Sequence, residues 1–236
     1  MAGMLFHSSF DLHFIDRLGT LRRQATETSI MDPKAHWERI YQDRSPASVS
    51  WYQREPTLSL AMIKRCALGR EEALIDVGGG ASVLVDRLLL AGYENVTVLD
   101  IAASALAHAR ARLGETAGSV TWIESDVTVF DPPQVYALWH DRAVFHFLTD
   151  ADDRRRYVAA LKRALRPDGH LILAAFSIGG PTRCSGLDIV QYDAHKLGTE
   201  LGPAFSLQEE CDEVHRTPGG AEQRFGFFRF AYTAQE

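Results

Sequence analysis

At 236 residues, 46% hydrophobic and 24% charged, the chain has the size and composition of one globular α/β domain with a single large core. A formal charge of −6 argues against a nucleic-acid surface, which needs Lys and Arg in clustered excess, and no run approaches the roughly 18 apolar residues of a membrane helix. Cys66, Cys184 and Cys211 lie far apart with no Cys-x-x-Cys pair, so no disulfide framework or metal site is expected, and a reducing, cytoplasmic compartment fits.

Residues 1–30 differ in texture from the rest, mixing Leu5, Phe6, Phe10, Phe14 and Leu18 with Arg17, Arg22 and Arg23 ahead of a second possible start at Met31. An amphipathic helix, a poorly ordered extension and an organellar presequence compete, and Asp11 and Asp16 count against the presequence. A single domain is expected over 31–236, with 31–70 as its N-terminal cap.

That cap opens with Asp32-Pro33, an N-cap followed by proline at the first helical position, and its helix carries Trp37 and Tyr41 on one face. A polar loop from Ser45 ends in Trp51-Tyr52-Gln53, aromatics that serve either as packing plugs or as a lid, and a helix from Pro56 to about Leu68 follows. Ala73 to Val77 then reads as a strand buried on both faces, and Ser82 to Leu90 as a helix. Between them Gly78, Gly79 and Gly80 make a turn where a ligand can approach the main chain closely.

A dinucleotide fingerprint needs a third spaced glycine, where Val83 stands. The stretch Asp76-x-Gly78-x-Gly80-x-Ser82 instead resembles motif I of the class I methyltransferases that use S-adenosylmethionine. The repeat that follows is of the same kind: strand Asn95 to Asp100 with the helix Ala102 to Leu113, then strand Val120 to Val127 with Asp126 near its carboxyl end. Ligands of open α/β sheets lie at those ends. The resemblance covers about residues 70–176 and implies that Asp100 and the adjoining Ile101 meet the ribose. It also implies that Asp126 and the Val127 amide meet the adenine, and that Asp76, Gly78, Gly79 and Gly80 cradle the rest. A helix N-cap is the alternative role for Asp100.

Val135 to Asp141 reads as the fourth strand and Asp150 to Arg166 as a helix ended by Pro167-Asp168-Gly169. His170 to Phe176 reads as the fifth strand, with a long loop over 177–192, a helix over 194–201 and two final strands, 205–214 and 224–232. The resemblance implies a Rossmann-like seven-stranded sheet in the order 3-2-1-4-5-7-6, its last strand antiparallel and helices on both faces.

For the acceptor, Asp141-Arg142, Arg156-Tyr157 and Gly180-Pro181 together resemble the thiopurine and tellurite-resistance S-methyltransferase branch. That resemblance implies that Arg142 faces the acceptor and that Trp37, Tyr41 and Trp51 flank the donor. The sequence His140-Asp141-Arg142-Ala143 stands where Asn-Pro-Pro-Tyr would mark nucleic-acid or glutamine substrates. His146 is the general-base candidate, with a satisfied, half-buried histidine as the alternative, and Asp141 and Arg142 complete the expected catalytic set. His140 is assigned to the cofactor site, and with Cys184, Tyr192 and His215 it is also a candidate for lining the acceptor pocket. The expected function is methyl transfer to a small thiol-like acceptor by a monomer or homodimer. A protein-lysine methyltransferase and a non-catalytic S-adenosylmethionine-binding protein are the alternatives.

Overall fold

Leu74, Ile75, Asp76 and Val77 are all buried, as a strand covered on both faces requires, and this strand lies in the interior of the sheet. The computed structural model describes residues 32–234, and the expectations for residues 1–30 fall outside that range. In chain order the elements are α1 (Pro33–Asp43), α2 (Thr57–Arg65), β1 (Leu74–Val77), α3 (Leu84–Leu90), β2 (Val96–Asp100), α4 (Ala103–Leu113) and β3 (Val120–Glu124). They continue with β4 (Tyr136–Arg142), α5 (Ala151–Ala164), β5 (Leu165–Phe176), β6 (Arg183–Cys184), β7 (Leu187–Asp188), α6 (Ala194–Leu201), β8 (Phe205–Arg216) and β9 (Glu222–Tyr232).

The main sheet runs β3-β2-β1-β4-β5-β9-β8, with β9 antiparallel to both of its neighbours and the first five strands parallel. This is the expected seven-stranded methyltransferase order. The expected loop over 177–192 contains the small hairpin β6–β7, whose two-residue strands are too short to show a period in sequence.

Strand alternation divides the core in two. Trp139, Leu171, Leu173, Phe228 and Phe230 face one layer with Tyr157 and Leu161 of α5. Leu138, Ile172, Ala174 and Phe227 face the other, against Met62 and Ile63 of α2 and Leu84 and Leu88 of α3.

Two local departures have physical causes. Helix α5 stops at Ala164, ahead of Arg166-Pro167, where a residue before proline is driven out of helical geometry. Strand β5 begins at once at Leu165, which pairs with Tyr136, and carries the Pro167-Asp168-Gly169 turn as an irregularity within it, Asp168 taking φ +60°. Strand β3 ends at Glu124, because Asp126 turns away to cap a short 3-10 helix at Val127–Val129.

Candidate active site

The glycine turn leaves β1 at the carboxyl edge of the sheet. Gly78 takes φ +66° and Gly80 φ +40°, conformations that side chains resist. A Cβ on Gly78 would fall 2.0 Å from Val144 Cγ2, one on Gly79 would fall 2.5 Å from Asp76 Oδ2, and one on Gly80 would fall 2.6 Å from Asp100 Oδ2. The turn is therefore a bare main-chain cradle with a carboxylate at each side.

Asp76 and His140 stand opposite each other in the β1–β4 register. Ser59, on α2, lies behind His140, and all three are buried. At the end of β2, Asp100 Oδ1 accepts from the Ala102 amide at 2.8 Å. The cap of α4 comes from elsewhere: Glu38 on α1 accepts from the amides of Ala103 and Ser104 at 2.6 and 3.2 Å. Burial pushes the Asp100 carboxyl up to about 7, and hydrogen bonds from the main chain oppose that rise. At the end of β3, Asp126 Oδ1 accepts from the Thr128 amide and hydroxyl, both at 2.8 Å.

A pocket opens beside the turn. Asp76, Gly78, Gly79, His140 and Arg142 line it from the sheet, and Tyr41, Trp51, Tyr52 and Gln53 line it from the cap. Trp51 donates from Nε1 to the Tyr41 hydroxyl at 3.2 Å and meets Trp37 edge to face at 5.6 Å. The loop over 45–53 is tied to the far edge of the sheet. His215 Nε2 lies 2.7 Å from the Ser50 carbonyl, Gln53 donates to Glu213, and Arg142 Nη1 donates to the Trp51 carbonyl at 3.1 Å.

Of the residues expected at the cofactor, the structure gathers Tyr41, Trp51, Asp76, Gly78, Gly79 and His140 around this pocket, with Gly80, Asp100 and Trp37 adjoining them. Ile101, Asp126 and Val127 stand at the neighbouring strand ends and do not line it. A main-chain cradle, an acid at each of three strand ends and an aromatic wall fit a nucleoside bearing a charged sulfur.

Two members of the expected catalytic set lie in closed surroundings. His146 is fully buried between Phe147 and Phe176, at ring distances of 4.4 and 4.9 Å, and both ring nitrogens lack a partner among the described residues. Burial, with Arg142 nearby, pushes its pKa down to about 3, so it stays neutral and is a poor proton acceptor. Asp141 is also fully buried and holds the chain after β4, accepting from the amides of Val144 and Phe145 and from the Tyr157 hydroxyl at 2.6 Å. Both of its oxygens are committed to structure. Cys184 is buried and its thiol is pushed up by that burial, whereas Tyr192 and His215 are buried elements of the surround.

Ser59, Glu38 and Glu213 contribute to the site without any local sequence signal. Each reaches it from a distant part of the chain.

Residues 74–169 match a family described as a methyltransferase domain. The chain is similar to nodulation protein S of Rhizobium tropici, 29% identical over 101 residues, which are 43% of this chain and 42% of that one. It is also similar to the eEF1A lysine and N-terminal methyltransferase of Mus musculus, 22% identical over 204 residues, 84% of this chain but 28% of that protein. The chain thus spans less than half the length of these curated relatives. Among solved structures, a SAM-dependent methyltransferase from Anabaena variabilis superposes with a TM-score of 0.67 at 16% identity, covering 86% of this chain and 96% of that one. The thiopurine branch is not specifically indicated by these matches. The matched family, the sheet order and the acid-flanked glycine turn agree: residues 74–169 match a methyltransferase domain, and they lie in a Rossmann-like methyltransferase fold.

Proposed function

We propose that the protein methylates a small-molecule acceptor, preferably a thiol or a similarly soft nucleophile. S-adenosylmethionine supplies, when bound, a methyl group already activated on a sulfonium, which leaves the chain with positioning and the exclusion of water. In this reading Gly78, Gly79 and Gly80 hold the donor through the main chain, with Asp76 beside them and Asp100 and Ile101 at the ribose. Asp126 and the Val127 amide take the adenine, and Trp37, Tyr41 and Trp51 form the wall. Residues 31–70 act as the cap of one domain that runs to residue 236.

The observation that carries the acceptor half is the Arg142 guanidinium, a largely buried cation on the pocket wall. A thiol, with an ordinary pKa of about 8.5, ionises more readily beside a cation and then needs no proton acceptor. A lysine ammonium, with an ordinary pKa of about 10.4, is repelled by the same charge and needs a base, a role for which His146 and Asp141 are unsuited. The similarity to a lysine and N-terminal methyltransferase makes a protein acceptor the second reading.

Purified protein and methyl-labelled donor are to be incubated with a panel of small thiols and, separately, with a protein lysate. A labelled thioether with unlabelled lysate protein is the expected result. Labelled protein without thiol turnover overturns the small-molecule reading, and donor binding without any transfer points to a binding protein.

A further inference from the structure

The two halves of the glycine turn are held by different neighbours. The first half hangs on β2, where the amides of Gly78 and Gly79 donate to the Leu99 carbonyl at 2.7 and 3.3 Å. The second half is closed by one main-chain bond, from the Ser82 amide to the Gly79 carbonyl at 2.7 Å. The amides of Gly80 and Ala81 donate to no main-chain carbonyl among the described residues. A glycine-rich segment with so few bonds of its own has other backbone conformations within reach.

Arg112, in the last turn of α4, supplies the missing restraint. Its Nη1 donates to the Ala81 carbonyl at 2.8 Å and its Nη2 to the Ser82 carbonyl at 2.7 Å. Nε and Nη2 also donate to the two oxygens of Asp86 on α3, at 2.9 and 2.7 Å. One guanidinium thus joins the end of the turn, the helix that follows it and the helix of the next unit.

The side chains of Arg112 and Asp86 are 30% and 20% exposed, so as an ion pair alone they contribute little to stability. What the planar fork supplies is direction. A peptide plane whose carbonyl is held cannot turn over, and turning over would exchange an oxygen for an N–H at the same place. Arg112 locks the planes after Ala81 and Ser82 with their oxygens aimed at a group outside the pocket. Ala81 and Ser82 line the pocket, whereas Arg112 and Asp86 do not.

We propose that Arg112 is a positioning residue for the methyl donor. It acts through the Ala81 and Ser82 carbonyls to hold the second half of the glycine turn in the shape that takes S-adenosylmethionine, and Asp86 aims it. The assignment rests on the reading above that this turn cradles the donor, and it extends that site to the last turn of α4.

The test is calorimetric titration of S-adenosylhomocysteine into the native protein, Arg112→Ala, Arg112→Lys and Asp86→Asn, with circular dichroism establishing that each is folded at the titration temperature. Arg112→Ala is expected to bind about 10-fold more weakly, the contribution of one hydrogen bond between turn and donor. Arg112→Lys, which keeps the charge but not the fork, is expected to remain weakened, and Asp86→Asn to lose about 3-fold. A purely structural role would lower the melting temperature of Arg112→Ala and leave the affinity of the folded variant unchanged, and that result overturns the assignment. Full affinity in Arg112→Lys overturns it as well, because a point charge would then suffice. Where Arg112→Ala does not fold, the other two variants decide, and native affinity in both is the overturning result. Failure of the native protein to bind S-adenosylhomocysteine removes the donor reading itself.

Discussion

His140 Nδ1 lies 2.7 Å from Asp76 Oδ1, and His140 Nε2 lies 2.9 Å from the Ser59 hydroxyl, so one imidazole links the first acid of the glycine turn to a cap helix. Removing the ring strands a buried carboxylate, whereas removing the hydroxyl strands one imidazole nitrogen. His140→Ala is expected to cost about 2–3 kcal/mol of stability and Ser59→Ala about 1 kcal/mol. Denaturant unfolding of both variants checks the order, and equal, near-zero losses would dismiss the link.

The proposed place of Asp100 at the ribose makes donor binding depend on pH. Its pKa in the folded, donor-free protein is raised to about 7, above the ordinary 3.8, so folding favours its neutral form. That contribution to stability is complete below about pH 4 and is lost as the pH rises through about 7. Asp100→Asn, which can still accept from Ala102, is therefore expected to raise the stability of the donor-free protein at pH 8 by roughly 2 kcal/mol. The hydroxyl groups of a ribose favour the ionised form, so donor affinity of the native protein should fall as the pH drops from 8 to 6. Calorimetric titrations of S-adenosylhomocysteine across that range give the slope, and a flat profile would separate Asp100 from the donor.

Gly78 faces two obstacles to substitution, its φ of +66° and the methyl of Val144. Gly78→Ala is expected to cost about 1–3 kcal/mol through strain and overpacking and to weaken donor binding. Pairing it with Val144→Ala should relieve the contact but leave the backbone strain, so stability returns only in part. Full recovery in thermal melts would show that the steric contact alone was responsible.

Tyr157 accepts from Trp139 Nε1 at 2.8 Å and donates to Asp141, whose pKa burial raises to about 6. Tyr157→Phe removes the donor that eases the burial of an ionised Asp141. The loss, about 1–3 kcal/mol at pH 8, should shrink below pH 6 as the carboxyl becomes neutral. Urea unfolding at the two pH values measures the difference, and a loss independent of pH would assign the cost to Trp139 instead.

Much of the sheet was legible because strands buried on both faces read as short apolar runs, and three of them end at or next to an acid. Helix α6 falls where its pattern placed it, over Ala194–Leu201. Partnerships across the chain were hidden. The cap that Glu38 gives α4, the bond of Ser59 to His140 and the hold of Glu213 on Gln53 join residues with no common local pattern. The burial of His146 is hidden in the sequence for a related reason. A three-residue 3-10 turn, Phe145–Phe147, carries it inward, and no helical period is long enough there to reveal which face is buried. Asp141 reads as a reactive acid in sequence because the Tyr157 hydroxyl that occupies it arrives from α5.

The ties from Ser50, Trp51 and Gln53 to His215, Arg142 and Glu213 have a kinetic consequence. A ligand that passes beneath this loop must first release bonds to β8, an element near the opposite end of the chain. The position of the loop beside the pocket is thus set in part by the terminal hairpin. Substitutions at His215 or Glu213 are expected to loosen the loop over 45–53 although neither residue lines the pocket.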